Sequence, residues 1–356
     1  MKALVLAGGK GTRLRPLTYA MAKQLVPVAN KPILFYPLDE LYGAGIREFG
    51  IIISPETGDS IQDAVKTWQP ADATITFILQ NKPSGLAHAV KTAQDFIQTS
   101  PFVMYLGDNL INGQLSAQIA DFFQNPCEAS ILLTPVDNPA SFGVAELDAS
   151  GQAVKLVEKP KNPPSNLALV GVYLFQPKIF EAIDQLKPSW RGEYEITDAI
   201  QTLIDWKCTV RTRIHEGWWL DTGKKDDLLA ANRIVLGAYP VELQDSSSTI
   251  DSHSILKGSV SIGKQSQIIR CQIEGPVRIA DNCVLQDCQI GPYTSIGNGC
   301  QLTSITLSNS VILERCQLKN VQGPISESLI GQDCQIQGTP DRTHQFLLAD
   351  HSVLQV

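Results

Sequence analysis

At 356 residues the chain has room for two domains, and 43% hydrophobic against 18% charged residues is the balance of a globular protein, which excludes a disordered or fibrous one. A formal net charge of −7 argues against a nucleic-acid scaffold, so a local cationic cluster is read as serving a small anion. With no cationic segment, sustained apolar run and small-residue cleavage site at the N-terminus, the sequence predicts a cytoplasmic protein with no membrane partner. The first run, Met1 to Ala7 with Leu6 near its end, predicts an apolar strand that empties into Gly8-Gly9-Lys10-Gly11-Thr12-Arg13-Leu14-Arg15-Pro16. Glycines let backbone N–H groups face an anion, and Lys10, Arg13 and Arg15 add positive charge, so the loop predicts a phosphate site with a nucleoside triphosphate as its guest. A dinucleotide fingerprint needs glycine where Leu14 stands, and a Walker loop needs Lys-Ser/Thr where Thr12-Arg13 stand. The plain alternative is a Gly-rich turn closing a βα unit.

Farther along, apolar runs at 50–53, 75–79, 101–106 and 130–133 alternate with amphipathic stretches. That pattern predicts a mostly parallel sheet with helices on both faces, and ligands bind such sheets at the carboxyl ends of the strands. Gln80, Gly107-Asp108-Asn109 and Glu158-Lys159-Pro160 each follow a strand-like run. Taken singly, Gly-Asp-Asn reads as a turn and Glu-Lys-Pro as a solvated loop. Gln24 and Gln80 each offer a donor beside an acceptor, which matches the imide edge of thymine or uracil. All five Trp precede residue 237 and six of the eight Cys follow it, which predicts domains at 1–236 and 251–356 joined by a linker at 237–250.

Beyond residue 250 an aliphatic residue recurs every six positions, at Ile262 and Ile268, Ile279 and Leu285, then Ile290, Ile296 and Leu302. This hexapeptide repeat predicts a parallel β-helix with three hexads per coil. Cys283, Cys300, Cys316 and Cys334 are spaced by 17, 16 and 18 residues, and Cys271 and Cys288 by 17, which predicts a ladder of small buried side chains about 4.8 Å apart. No Cys-x₂-Cys pair is present, so packing is favoured over a metal or disulfide framework. His253, His344 and His351 lie outside the most regular repeats, which disfavours an acyltransferase and favours a scaffold for homo-oligomerisation or an allosteric surface.

Gly-Gly-x-Gly-Thr-Arg-Leu-x-Pro continues as Lys23-Gln24-Leu25-Val26-Pro27-Val28, Lys31-Pro32 and Tyr36-Pro37. With these motifs the chain resembles, over its full length, the sugar-1-phosphate nucleotidylyltransferases, and within them the long form of the glucose-1-phosphate thymidylyltransferases. The resemblance implies a Rossmann-like α/β nucleotidyltransferase domain followed by a left-handed parallel β-helix. It also implies Mg²⁺-assisted in-line transfer of thymidylyl from dTTP to glucose 1-phosphate, giving dTDP-glucose and pyrophosphate with no general base.

Carried over by motif, the nucleotide site comprises Leu6, Ala7, Gly8, Gly9, Gly11, Thr12, Arg13, Gln24, Gln80, Gly85 and Asp108. Asn109, Gly143, Glu158, Lys159, Leu169 and Trp219 would serve the sugar phosphate, and Asp108 and Asp221 the metal. Arg13, Lys23, Lys159 and Asp108 would carry catalysis, Arg13 by stabilising departing pyrophosphate. Trp218 and Trp219 stack on the sugar or fill the core; the Trp190–Asp198 segment orients the sugar subsite or begins the helix at Ala199. His88 is read as an ordinary helix residue. Phe142 stands where the family often has Tyr, and Ser84 where many thymidylyltransferases have Asp, so UTP use stays open beside dTTP. A non-catalytic sugar-nucleotide sensor is the rival of another class.

Overall fold

The computed structural model describes residues 1–113, 115–238, 243–321, 323–338 and 346–355. Residues 239–242 of the expected linker, and His344, lie outside them. The chain divides into two compact units, Met1–Gly9 with Leu34–Asp221, and Lys10–Ile33 with Thr222–Val356.

The first unit is built on a nine-stranded mixed sheet. Lys2–Leu6 lies parallel between Glu48–Ile53 and Phe102–Leu106, and Thr74–Leu79 extends this parallel block to the edge. Leu167–Phe175 runs antiparallel to Phe102–Leu106 and to Ala129–Pro135 and Gly143–Leu147 beyond it. Ala153–Glu158 then pairs antiparallel with Gly143–Leu147, and Val210–Ile214 parallel with Ala129–Pro135. The central strands read as unbroken apolar runs because both faces are covered: Leu4, Val5, Phe102 and Met104 are wholly buried. Because the four strands of the block share one direction, their carboxyl ends meet. Gly107 N–H donates to Leu6 C=O at 2.9 Å, Ala7 N–H to Ile52 C=O at 2.9 Å, and Gln80 N–H to Ile53 C=O at 2.9 Å. These three bonds bring Ala7-Gly8, Gln80 and Gly107-Asp108 to one edge of the sheet.

In the second unit three stacks of short parallel strands form a solenoid consistent with a left-handed β-helix. Ile262, Ile279, Ile296, Ile312 and Ile330 pair in register along one stack, and Ile268, Leu285, Leu302, Leu318 and Ile336 along another, all buried. Period-two pleating turns those side chains inward and their neighbours outward. Ile290 belongs to the third stack, paired with Ile273 and Leu307. The six cysteines of this unit are buried free thiols, and burial pushes Cys283 up to about 11, so it packs as a neutral group that donates to Gly297 C=O. At the corners Asn282, Asp287, Arg315, Asn320 and Asp333 adopt positive φ, a conformation Asn and Asp tolerate better than most residues.

Candidate active site

Within the first unit the metal-type carboxylates arise from a two-stranded ribbon. Trp219–Asp221 pairs antiparallel with Asn109–Ile111, setting Asp221 opposite Asn109, the residue next to Asp108. Asn109 is 2% exposed, and its amide is occupied on both sides. Its Nδ2 donates to Asp108 Oδ1 at 3.0 Å and its Oδ1 accepts from Trp219 Nε1 at 2.6 Å. Asn109 and Trp219 therefore hold Asp108 in place, and the Trp219 ring meets Phe142 edge-on at 5.1 Å. Among the described residues no third His, Cys, Asp or Glu completes a metal cluster with them. Two hard carboxylate oxygens fit Mg²⁺, which usually keeps water and phosphate oxygens for its remaining positions.

At the end of Thr74–Leu79, Gln80 is 7% exposed. Its Nε2 meets His88 Nδ1 at 2.9 Å, so the imidazole on the Leu86–Thr92 helix orients the amide. Gly85, at φ 104°, faces the Tyr194 backbone: a Cβ there would sit 2.7 Å from Tyr194 N. Tyr194 N–H donates to Ser84 C=O and Ala87 N–H to Tyr194 C=O, tying the 80–87 loop to the Trp190–Asp198 segment. The close approach that Gly85 permits is thus to the protein's own backbone.

That same segment shapes the pocket around Glu158. Thr197 donates to Glu158 Oε2 at 3.3 Å while standing in the first turn of the Ile196–Asp205 helix, so the segment begins a helix earlier than the expected start at Ala199 and also contacts Glu158. Arg191 Nη1 lies 3.5 Å from Glu158 Oε1 and Lys159 Nζ 3.7 Å. Burial pushes the Glu158 carboxyl above the ordinary glutamate range, against the pull of Lys159, Arg191 and Thr197. Gly143 is required here, since a Cβ would sit 2.6 Å from Thr197 Cγ2 and 3.1 Å from Glu158 Oε2. Leu169 is 5% exposed beside them. Lys159 itself takes φ 42°, a strained conformation held by its N–H donating to Phe142 C=O at 3.0 Å.

Gly9 closes the first segment of the first unit, and the expected residues Gly11, Thr12, Arg13, Lys23 and Gln24 fall in the second unit. Gly11, at φ 60°, packs on Lys23 and Thr18, leaving no room for a Cβ, and its carbonyl accepts from Thr18 Oγ1. Thr12–Leu14 forms a single 3₁₀ turn that presents Thr12 and Arg13 to solvent. The Arg13 guanidinium lies over Gly223, where a Cβ would come within 2.8 Å of Nη2. Arg13, Lys224 and Lys225 line a cleft of about 550 Å³ with Asp226, Phe346 and Leu347, a cationic setting for an anion. Lys23 and Gln24 are buried, and Gln24 Oε1 has no hydrogen-bond partner among the described residues.

Residues 2–237 match the nucleotidyl transferase family model. The chain belongs to the nucleotidyl transferase family. The glucose-1-phosphate thymidylyltransferase of Streptomyces antibioticus is 44% identical over 359 residues, spanning 100% of this chain and 99% of that protein. Two solved structures resemble this nucleotidyl transferase as well. A Bacillus anthracis chain assigned as a glucose-1-phosphate thymidylyltransferase, crystallised with sucrose, aligns at TM-score 0.61 and 34% identity over 65% of this chain and 94% of its own. UDP-glucose pyrophosphorylase complexed with UDP-glucose aligns at 0.60 and 26%, over 67% and 99%. Enzymes of the family generally use a divalent metal.

Sequence reasoning about this nucleotidyl transferase missed His88 as the partner of Gln80 and Gly223 as the seat of Arg13. It also missed Arg191 as a partner of Glu158. Gln80 and His88 lie on a strand end and a helix joined by an irregular loop, and the other two pairs are distant in the chain, so no regular spacing reveals any of the three. The Arg191-Gly192-Glu193 motif was the one available signal, and Arg191 Nη1 reaches buried Glu195 at 3.2 Å as well.

Proposed function

We propose that the protein transfers a thymidylyl group from dTTP to α-D-glucose 1-phosphate, releasing pyrophosphate and dTDP-glucose. The observation that carries this reading is the Asp108–Asn109–Asp221 ribbon, which supplies paired carboxylates at a strand end suited to a phosphate-bound cation. The full-length likeness to a glucose-1-phosphate thymidylyltransferase supports the choice of substrates. Asp108 and Asp221 would hold Mg²⁺, which when bound neutralises phosphate charge.

The sugar-1-phosphate oxygen is already ionised, so it attacks the α-phosphorus without a base; the new P–O bond forms as the bond to the β-phosphate oxygen breaks. Lys159 is assigned to the sugar's phosphate and Glu158 to its hydroxyls, with the strained Lys159 backbone supporting a functional role. Lys23 and Arg13 are assigned to the triphosphate, Arg13 to the leaving pyrophosphate. The orphaned Gln24 Oε1 suits the imide N–H of the base, and Gln80, held by His88, a neighbouring group.

Acid weakens sugar binding in this scheme, because protonated Glu158 loses an acceptor. Its raised pKa places the onset above the ordinary glutamate value, so KM for glucose 1-phosphate rises as pH falls through that region. Glu158→Gln is expected to raise KM about tenfold at neutral pH and to flatten this acid limb; a retained limb assigns it to another group. For stability the sign is that of a carboxyl whose burial outweighs its ion pairs with Arg191 and Lys159. The folded state holds this proton more tightly than the unfolded one, so the contribution is full below the ordinary glutamate pKa and is lost as pH rises through the raised value.

The likeness to a UDP-glucose pyrophosphorylase favours a second reading, in which UTP serves as donor. Gln24 and Gln80 address an imide edge that thymine and uracil share. A pocket for the thymine methyl is worth about 10- to 200-fold, so kcat/KM with dTTP is expected to exceed that with UTP by at least tenfold. Equal values would assign the enzyme to both nucleotides.

A further inference from the structure

We propose that the carboxyl-terminal solenoid belongs to the nucleotide-handling apparatus, with Asn232 and Arg278 as positioning residues that clamp the turn following Lys23 and Gln24. The inference rests on the nucleotide role proposed for those two residues and identifies what holds them.

Val28 pairs with Lys31 across a two-residue turn in which Ala29 and Asn30 both take the left-handed conformation, at φ 49° and 60°. Asparagine accepts this conformation readily, whereas the Cβ of alanine opposes it. Such a residue persists where its surroundings fix it from several sides. Both backbone polar groups of Ala29 are engaged: its N–H donates to Asn232 Oδ1 at 2.8 Å, and its carbonyl accepts from Arg278 Nη1 at 2.9 Å. Asn30 Nδ2 donates to the carbonyls of Ile296 at 2.9 Å and Arg278 at 3.3 Å.

Asn232 is 1% exposed on the Lys225–Ala238 helix, and its amide joins three parts of the chain. Besides accepting from Ala29, Oδ1 accepts from Ser295 Oγ at 2.7 Å, while Nδ2 donates to Tyr293 C=O at 2.9 Å. Arg278 and Ser295 occupy the same register position on successive coils, alternating with inward Ile279 and Ile296, so the clamp occupies the outer side of one solenoid face. Little slack separates the clamped turn from the residues of interest. Lys23–Leu25 is one 3₁₀ turn closed by Val26 N–H donating to Lys23 C=O at 3.1 Å, and Ile33 N–H donates to Val26 C=O at 3.1 Å. These contacts lie within the unit that joins Lys10–Ile33 to Thr222–Val356, apart from Leu34–Asp221.

The test combines hydrogen exchange and steady-state kinetics on full-length Arg278→Ala and Asn30→Gly. Asn30→Gly keeps the left-handed turn and deletes only the amide, and both variants leave the solenoid interior intact. Amides at 23–33 are expected to exchange about tenfold faster in the absence of ligand, while those at 300–303 keep their protection. KM for dTTP is expected to rise about tenfold, with KM for glucose 1-phosphate and the thermal midpoint unchanged. Unchanged exchange at 23–33 overturns the clamp; faster exchange with an unchanged KM for dTTP overturns its link to the nucleotide. The exchange measurement needs no turnover, so a wild type that does not use dTTP refutes the substrate reading and leaves the clamp to be decided by exchange alone.

Discussion

Asp108→Asn is expected to lower kcat by about 10²- to 10³-fold, the usual loss when one preorganised charge is removed from a phosphoryl-transfer site. The substitution isolates charge from shape. An asparagine at 108 keeps an oxygen to accept the hydrogen bond from Asn109 Nδ2, so the ribbon with Trp219–Asp221 remains paired and only the anionic ligand is lost. The Mg²⁺ concentration for half-maximal rate is expected to rise in parallel, because one of only two proposed carboxylate ligands is neutral. A kcat and Mg²⁺ dependence matching the wild type would remove Asp108 from the metal site.

Arg13→Ala is expected to cost a similar factor of about 10²- to 10³-fold, in the pyrophosphorolytic direction as well as the forward one, since the guanidinium is assigned to pyrophosphate. Arg13 is exposed, so the thermal midpoint should not move, and the loss can be read as chemistry. Arg13→Lys restores charge but not the planar fork and should recover part of the rate. Gly223→Ala provides an independent check. Its methyl would fall 2.8 Å from Nη2 and 3.0 Å from Cζ, pushing the guanidinium off its seat, and should reproduce the Arg13→Ala defect in weaker form. Full activity of Arg13→Ala in both directions would contradict the assignment.

The parts of this molecule that were legible in its sequence are those dictated by local rules. Continuous apolar runs announced strands buried on both faces, and the six-residue aliphatic period announced the solenoid, because each face of a coil must turn one aliphatic side chain inward. The cysteines at coil spacing obey the same constraint. Strand direction was less legible: the run Leu167–Phe175 is apolar throughout, and nothing in an apolar run states that it pairs antiparallel with Phe102–Leu106. Asp108 and Glu158 were read as carboxylates at strand ends and Asp221 came only through the family resemblance, whereas the groups that orient them came from other segments. Asn109 carried no signal that its amide would be consumed by Asp108 and Trp219. Asn232 and Arg278, single polar residues in a helix and a strand, bear no local mark of the turn they hold, so the grouping of Lys10–Ile33 with the solenoid was invisible in composition.

Phosphorus NMR of the full-length protein with dTTP, glucose 1-phosphate and Mg²⁺ decides whether thymidylyl transfer takes place. Equal amounts of pyrophosphate and dTDP-glucose are expected, formed only when the sugar phosphate and the metal are both present. Binding of both substrates without product, or release of inorganic phosphate in place of pyrophosphate, would contradict thymidylyl transfer.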